Sequence, residues 1–290
     1  MTSPHPSGIR MKAYAKVNLT LEVLARRQDG FHQIASILQC VDLSDDVIIE
    51  PATDLSIHCD APIPDEENLA LRAARLLQRV MGVTQGAHIT LRKRIPMAGG
   101  MGGGSSDAAT VLRGLARLWG LRLALPPLAS LASDLGSDVP FFVYGGTALA
   151  EGRGELVSLL PDLPTTWMVL VTPPIVVPNK TGALYKLLDP SMFTTGEATR
   201  RLVRTIGRLE APRPGDLFNV FERVADAAFP GLAECRQRFE EAGAGAVHLS
   251  GSGPTLFALV SGPDEGETVR KRCDSLGLSA LLVKTVASSV

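Results

Sequence analysis

The sequence is poor in most of the features that would assign a protein to a special class. Aromatic residues make up 5% of it and there are four cysteines. Cys40, Cys59, Cys235 and Cys273 show no Cys-x-x-Cys spacing. That excludes a disulfide-dense scaffold and the common zinc and redox motifs, and it predicts buried free thiols in a reducing compartment. His58 beside Cys59 makes no metal pair, because neighbours on a strand point to opposite faces. Net charge is −1, with no basic stripe of the kind nucleic-acid binding needs. No apolar run reaches the roughly 18 residues of a membrane span. The first eight residues are polar, with two prolines, and read as a disordered tail lacking the apolar stretch of a signal peptide. The expectation is a cytoplasmic protein with neither membrane nor nucleic acid as partner.

What is present is ordinary globular material, 45% hydrophobic and 20% charged over 290 residues. That is enough for one large or two ordinary domains. Alternation predicts a strand over 11–24, a turn ending in Asp29-Gly30, and a returning strand over 31–41. Shorter strands follow at 47–50 and 55–59. A helix is expected over 68–81, with Leu69, Ala73, Leu76, Leu77 and Val80 on one face and Gly82 as its stop. Then come a strand at 88–94, a Gly-rich loop with its helix, and a helix at 126–135 ending at Gly136. Buried strands are expected at 141–150 and 167–172. Prolines 161, 164, 173, 174 and 178 place a boundary near 155–175, dividing the chain into 1–160 and 161–290. The second part reads as helices at 181–188, 197–208, 216–228 and 232–242, then strand, helix and strand at 246–260, 264–276 and 279–286. Strands come in runs rather than alternating with helices, so the fold class is α+β.

Glycine is plentiful, and five glycines crowd one loop: Pro96-Met97-Ala98-Gly99-Gly100-Met101-Gly102-Gly103-Gly104-Ser105-Ser106-Asp107. Ala108, Val111, Leu112, Leu115 and Leu118 then repeat at helical spacing. A Gly-rich loop feeding a helix start lets backbone N–H groups approach an anion, aided by the helix dipole. Ser105 or Ser106 is a natural N-cap, and either hydroxyl could instead reach a phosphate or magnesium. The Walker pattern fails, since Ser105 follows Gly104 with no Lys. The Rossmann fingerprint fails as well, since counting from Gly100 places Ser105 where its third Gly belongs.

Such a loop must recruit a cation and a base from elsewhere. In Ala15-Lys16-Val17-Asn18-Leu19, period two puts Tyr14, Lys16, Asn18 and Thr20 on one face, opposite the core face Ala15, Val17, Leu19 and Leu21. That polar face is either plain solvated strand or functional. In Gly136-Ser137-Asp138-Val139-Pro140, Asp138 is expected in an extended stretch ahead of Pro140, as an Asx-turn residue or as an acceptor for a substrate hydroxyl proton. Asp134 reads as a surface charge. Ser250-Gly251-Ser252-Gly253-Pro254 is a small-residue turn between apolar strands.

These segments, in this order, resemble the GHMP family of small-molecule kinases over nearly the whole chain. The resemblance rests on the Ala15 to Leu19 motif, the Pro96 to Ser106 loop and the Ser250 to Pro254 turn. It implies an N-terminal ATP-binding domain and a C-terminal ferredoxin-like domain, with Asp138 as catalytic base and Lys16 as its partner. Pro96 to Ser106 would hold ATP, with magnesium bridging its phosphates. Within the family, Arg27-Gln28-Asp29-Gly30-Phe31-His32 and Gly136 to Phe142 resemble members whose acceptor is methylerythritol linked to cytidine diphosphate, on the non-mevalonate route to isoprenoids. By that resemblance Asn18 and His32 contact the acceptor, and Phe31 and Tyr185 stack on its base. If the first two strands form a plain hairpin, His32 falls near Leu24. It then lies about eight residues and at most roughly 25 Å from Lys16, a span suited to an elongated substrate. A kinase for a compact alcohol such as mevalonate or homoserine and a non-catalytic nucleotide sensor are the alternatives. Lys16 and Asp138 together speak against the sensor. Three positions depart from the family pattern. Phe31 replaces a usual Tyr, and Val220 replaces a usual Asp, so Asn219 to Glu222 receives no site role. Asp107 sits close to the expected phosphates, where it would point away, favour the helix start or approach magnesium. Both a monomer and a homodimer are compatible with the sequence.

Overall fold

Apolar and β-branched residues dominate the N-terminal region, and they form two long strands, β1 (Ile9–Arg26) and β2 (His32–Ala52). The Asp29-Gly30 turn closes them: the Arg27 amide donates to the Phe31 carbonyl at 2.8 Å and the Phe31 amide to Asp29 Oδ1 at 3.1 Å. The structure, a computed structural model, describes residues 8–288. Apart from Gly8, the polar tail expected at the N-terminus lies outside the described residues. The chain packs as two compact units, each built from separate stretches. One takes residues up to Ala15 with Leu43–Ile95 and Gly102–Tyr144, and the other takes Lys16–Asp42, Pro96–Met101 and Gly145 onward.

In the first unit, β3 (Leu55–Cys59), α1 (Leu69–Met81), β4 (Gly86–Arg92) and α2 (Gly103–Leu118) follow β2. Residues 46–52 of β2 pair antiparallel with β4, and β3 lies parallel to β4. The Asn68 side chain accepts the Ala70 amide at 3.0 Å and Gly82, with φ 63°, ends α1, as the capping signals predict. α1 buries Ala70, Leu71, Ala73, Ala74, Leu76 and Leu77, and it packs on α2. Its last turn outlasts its cover, so Val80, expected on the buried face, is 56% exposed. α3 (Leu125–Ala132) ends earlier than expected, at Ser133 rather than Gly136.

The expected strand over 141–150 is a correction. Val139–Tyr144 is a short helix, α4, and only Thr147–Gly152 is strand. Periodicity cannot separate a short, wholly buried apolar run from a strand. Pro140 in the first helical turn, where its missing N–H costs nothing, decides for helix. Asp138 is accordingly in a turn leading into α4 and not in an extended stretch; the Val139 amide donates to the Gly136 carbonyl at 3.2 Å.

The second unit continues with β5 (Thr147–Gly152), β6 (Leu156–Leu159), β7 (Trp167–Val171), α5 (Lys180–Leu187) and α6 (Glu197–Gly207), then β8 (Phe218–Asn219), α7 (Ala225–Ala228) and α8 (Leu232–Glu241). It finishes with β9 (His248–Leu249), β10 (Leu256–Val260), α9 (Pro263–Ser275) and β11 (Ala280–Lys284). Residues 34–39 of β2 pair antiparallel with β5, β5 pairs with β6, and Thr20 and Leu21 of β1 pair in parallel with β8. A second, wholly antiparallel sheet has the order β11-β7-β10-β9. The long helix expected over 216–228 is broken into β8, a 3-10 turn at Val220–Arg223 and α7. Asn219 ends the strand by accepting the Phe221 amide with its own side chain at 3.0 Å, a local bond that competes with helix. The strand expected over 246–260 is likewise split by the Ser250–Pro254 turn. Phe221, Phe229, Phe239, Leu249 and Leu256 share the core beneath that turn.

Candidate active site

Four successive carbonyls in the Pro96–Met101 part of the loop are tied to other segments of the chain. Ala98 O accepts from Lys180 Nζ, Gly99 O from the Thr255 amide at 3.2 Å, Gly100 O from Ser250 Oγ at 3.4 Å, and Met101 O from the Lys16 amide at 3.0 Å. Left-handed φ recurs at every second residue: Ala98 at 56°, Gly100 at 86° and Gly102 at 72°. Alternating hands of this kind turn successive N–H groups toward one side, the arrangement that forms anion-binding concavities. Gly100 tolerates no side chain, because a Cβ would lie 2.4 Å from the Ser250 carbonyl. Loop and turn thus meet backbone to backbone.

Lys16 and Asn18 lie on the inner part of β1, where the polar face is not solvated. Lys16 is 4% exposed and Asn18 5%, while Val17 and Leu19 on the other face are equally buried. A strand buried on both sides makes its polar residues expensive unless they are bonded. Lys16 Nζ donates to Asn18 Oδ1 at 2.5 Å, Asn18 Nδ2 to Ser36 Oγ at 2.8 Å, and Ser36 Oγ to the Thr20 carbonyl at 2.6 Å. Gly251 comes over this chain, since a Cβ there would be 2.9 Å from Lys16 Nζ. The Ser36–Thr20 bond puts His32, four residues back along β2 toward the turn, level with the neighbourhood of Leu24, as the hairpin argument supposes.

His32 stacks on Tyr185 with centroids 4.4 Å apart and planes 12° apart, and meets Phe193 edge-on at 5.8 Å. Burial, with Arg26 adding repulsion, lowers the His32 pKa, so its imidazole is neutral near pH 7 and can both donate and accept. Phe31 stands apart from this cluster. It is 51% exposed and lies under the Arg153 guanidinium, 4.9 Å from its ring centre.

In the first unit, α2 starts at Gly103 with Gly102 as its N-cap, and no side chain caps it. Ser105 and Ser106, expected as caps, are instead inside the first turn. The first-turn amides have no side-chain cap competing for them. Asp107 has a partner that the sequence reading did not name. It is buried and paired with Lys93, which also bonds Asp45 at 2.5 Å. Asp45 accepts the Arg94 and Ile95 amides as well, at 2.5 and 2.8 Å. Asp107 Oδ1 has no hydrogen-bond partner among the described residues. Burial, opposed by Lys93 and reinforced by Asp45, pushes the Asp107 carboxyl up to about 7. Burial works against the Lys93 charge too, but the two carboxylates raise its pKa overall. One ammonium cannot neutralise two buried carboxylates, and Asp107, which lacks the backbone donors that Asp45 has and keeps Oδ1 unbonded among the described residues, is the one whose carboxyl is pushed up. Asp138 is half-buried beside α4 and Asp134 is exposed.

Sequence reasoning missed two residues. Asn219 holds the small-residue turn, its Nδ2 donating to the Leu249 and Gly251 carbonyls at 2.8 Å each. Lys180 bridges the loop and the turn, donating to the carbonyls of both Ala98 and Gly253. Neither carries a local motif, since each acts on backbone far away in sequence. Among the described residues no group of three or more His, Cys, Asp or Glu could hold a metal ion. Magnesium on a nucleotide needs little from a protein beyond one or two oxygens. The Ser105 and Ser106 hydroxyls suit a metal that arrives with its phosphates.

Two family patterns match the chain, GHMP kinases N terminal domain over residues 68–146 and GHMP kinases C terminal over 199–277. A 4-diphosphocytidyl-2-C-methyl-D-erythritol kinase of Dehalococcoides mccartyi is 43% identical, over 96% of this chain and 98% of the relative. One of Symbiobacterium thermophilum is 41% identical over 96% of this chain and 100% of the relative. A solved 4-(cytidine 5'-diphospho)-2C-methyl-D-erythritol kinase superimposes with a TM-score of 0.79 at 36% identity, covering 96% of this chain and 99% of the other. A homoserine kinase from Cytophaga hutchinsonii, with a TM-score of 0.73 at 18% identity, shares the fold. The α+β architecture, the loop and matches along almost the entire length agree, and the chain belongs to the GHMP kinase family.

Proposed function

We propose that the chain transfers the γ-phosphoryl group of ATP to the 2-hydroxyl of 4-diphosphocytidyl-2-C-methyl-D-erythritol, yielding the 2-phosphate and ADP. As a GHMP kinase it uses ATP. The acceptor is the one in the name of relatives 41–43% identical to it. The observation that carries the phosphoryl chemistry is the alternating loop with its four carbonyls tied back, which leaves backbone N–H groups for phosphate oxygens.

In this reading residues Pro96 to Ser106 hold ATP. Ser105 or Ser106 would hold magnesium together with the phosphates, and the ion would supply charge neutralisation on the transferring group. Asp138 accepts the hydroxyl proton as the acceptor oxygen bonds to the γ-phosphorus and the bridge to the β-phosphate breaks, releasing ADP. Lys16, oriented by Asn18, acts as the partner that stabilises the attacking oxygen. His32 and Tyr185 form a two-ring platform for the cytosine. The neutral imidazole can meet both donor and acceptor edges of that base. Phe31 closes over the base from the hairpin, and Asn18 contacts the acceptor. The chain divides into an N-terminal kinase domain, 1–160, which carries the phosphate loop, and a C-terminal kinase domain, 161–290. The enzyme works in the cytoplasm as a monomer or homodimer.

An ADP-release assay with magnesium, ATP and a panel of the cytidine compound, mevalonate, homoserine and galactose tests the reading. Turnover confined to the cytidine compound is expected, and turnover with another alcohol would overturn the acceptor. Asp138→Asn should lower kcat by about a hundredfold or more while ADP affinity stays within about twofold. An unchanged kcat removes Asp138 from the mechanism.

A further inference from the structure

Lys180 begins α5 directly after Asn179, which has a left-handed φ of 46°. Its ammonium is partly buried and, among the described residues, bonds only two neutral acceptors, the carbonyls of Ala98 and Gly253. The neighbouring Thr181–Ser252 hydroxyl pair, at 2.9 Å, adds no charge. The charged group that bears on it is another lysine, Lys16 on β1. Burial first, and Lys16 second, push the Lys180 pKa down to about 8. An ammonium bonded, among the described residues, only to neutral carbonyls of a Gly-rich loop and its neighbouring turn leaves positive charge that a polyanion would neutralise.

We infer that Lys180 is a positioning residue for ATP: it ties the loop at Ala98 to the turn at Gly253 and supplies the cation that the loop, lacking a Walker lysine, does not contain. The inference rests on the phosphate-loop reading given above. It is independent of which alcohol is phosphorylated. A lysine ammonium has three donors and two are spent on carbonyls, so the third remains for phosphate. Losing a charged hydrogen-bonding group at a phosphate site weakens binding by about ten- to a hundredfold. Arginine, charged at all working pH values, replaces the charge without the titration.

The test is ADP binding by calorimetry, in magnesium, for the full chain and for Lys180→Met and Lys180→Arg at pH 7 and pH 9. At pH 7 the Met variant should bind ADP about tenfold more weakly and the Arg variant within about threefold of wild type. At pH 9 the wild-type lysine has lost most of its proton, so the gap between wild type and Met should shrink while Arg keeps its affinity. In turnover, KM for ATP should rise in the Met variant and KM for the acceptor should not. Met binding as tightly as wild type at pH 7, or a loss that Arg does not restore, overturns the inference. If the Met variant does not fold, the Arg variant decides. An ADP affinity that falls from pH 7 to 9 as steeply as in wild type also overturns it. Wild type that binds no ADP at all would instead sink the kinase reading, and this inference with it.

Discussion

Lys93 and Lys180 are two partly buried lysines with opposite company. Lys93 sits between Asp45 and Asp107 and its pKa is raised, whereas Lys180 sits between two carbonyls and its pKa falls to about 8. The protein supplies all the counter-charge Lys93 needs and more, so that lysine serves the fold. Among the described residues it supplies none to Lys180, so that charge is left for something that arrives. Partner chemistry, rather than depth of burial, separates a structural lysine from a ligand-directed one.

The sharpest way to break this contrast is Lys93→Ala. It leaves two buried carboxylates without their cation and should cost about 3–5 kcal/mol in urea unfolding at pH 7. A loss under about 1 kcal/mol would mean that Lys93 is no more structural than Lys180. His32→Ala tests a third environment, an imidazole stacked on Tyr185 and edge-on to Phe193. Acceptor KM should rise about tenfold, with KM for ATP unchanged. Equal weakening of both substrates would contradict a site with separate ends. Because the pKa of His32 is lowered, wild-type acceptor KM should be flat near pH 7 and rise as the pH drops below the ordinary histidine range. The smallest effect concerns Asp107. Its folded pKa of about 7 lies above the ordinary 3.8. The folded state therefore binds the extra proton between those values, and stability rises as pH falls from about 7 toward 4. Asp107→Asn keeps the Lys93–Asp45 pair and should flatten that slope; a slope unchanged in the variant would place the proton elsewhere.

The loop and the β1 motif were legible because their chemistry is local. Small residues in a row permit alternating hands, and a lysine in an Ala- and Val-rich strand stands out. Asn68 and Gly82 announced α1 through capping groups only one or two residues from the backbone they serve. The pairing of Asp107 was not legible because its partners, Lys93 and Asp45, come from other elements. Lys180 and Asn219 were invisible for the same reason, since their acceptors lie tens of residues away in sequence. Val139 to Tyr144 was misjudged because a wholly buried run leaves no polar face to set a period. The pattern failed where burial was complete and where long-range backbone was the partner.

The four tied carbonyls of the loop have one more consequence. A segment fastened at Ala98, Gly99, Gly100 and Met101 by the protein's own donors has little freedom to surrender on binding. In the proposed reaction ADP meets the same finished cradle as ATP, so the cradle cannot tell product from reactant. Discrimination of ATP from ADP in the proposed reaction must then come from groups outside the cradle that contact the γ-phosphate.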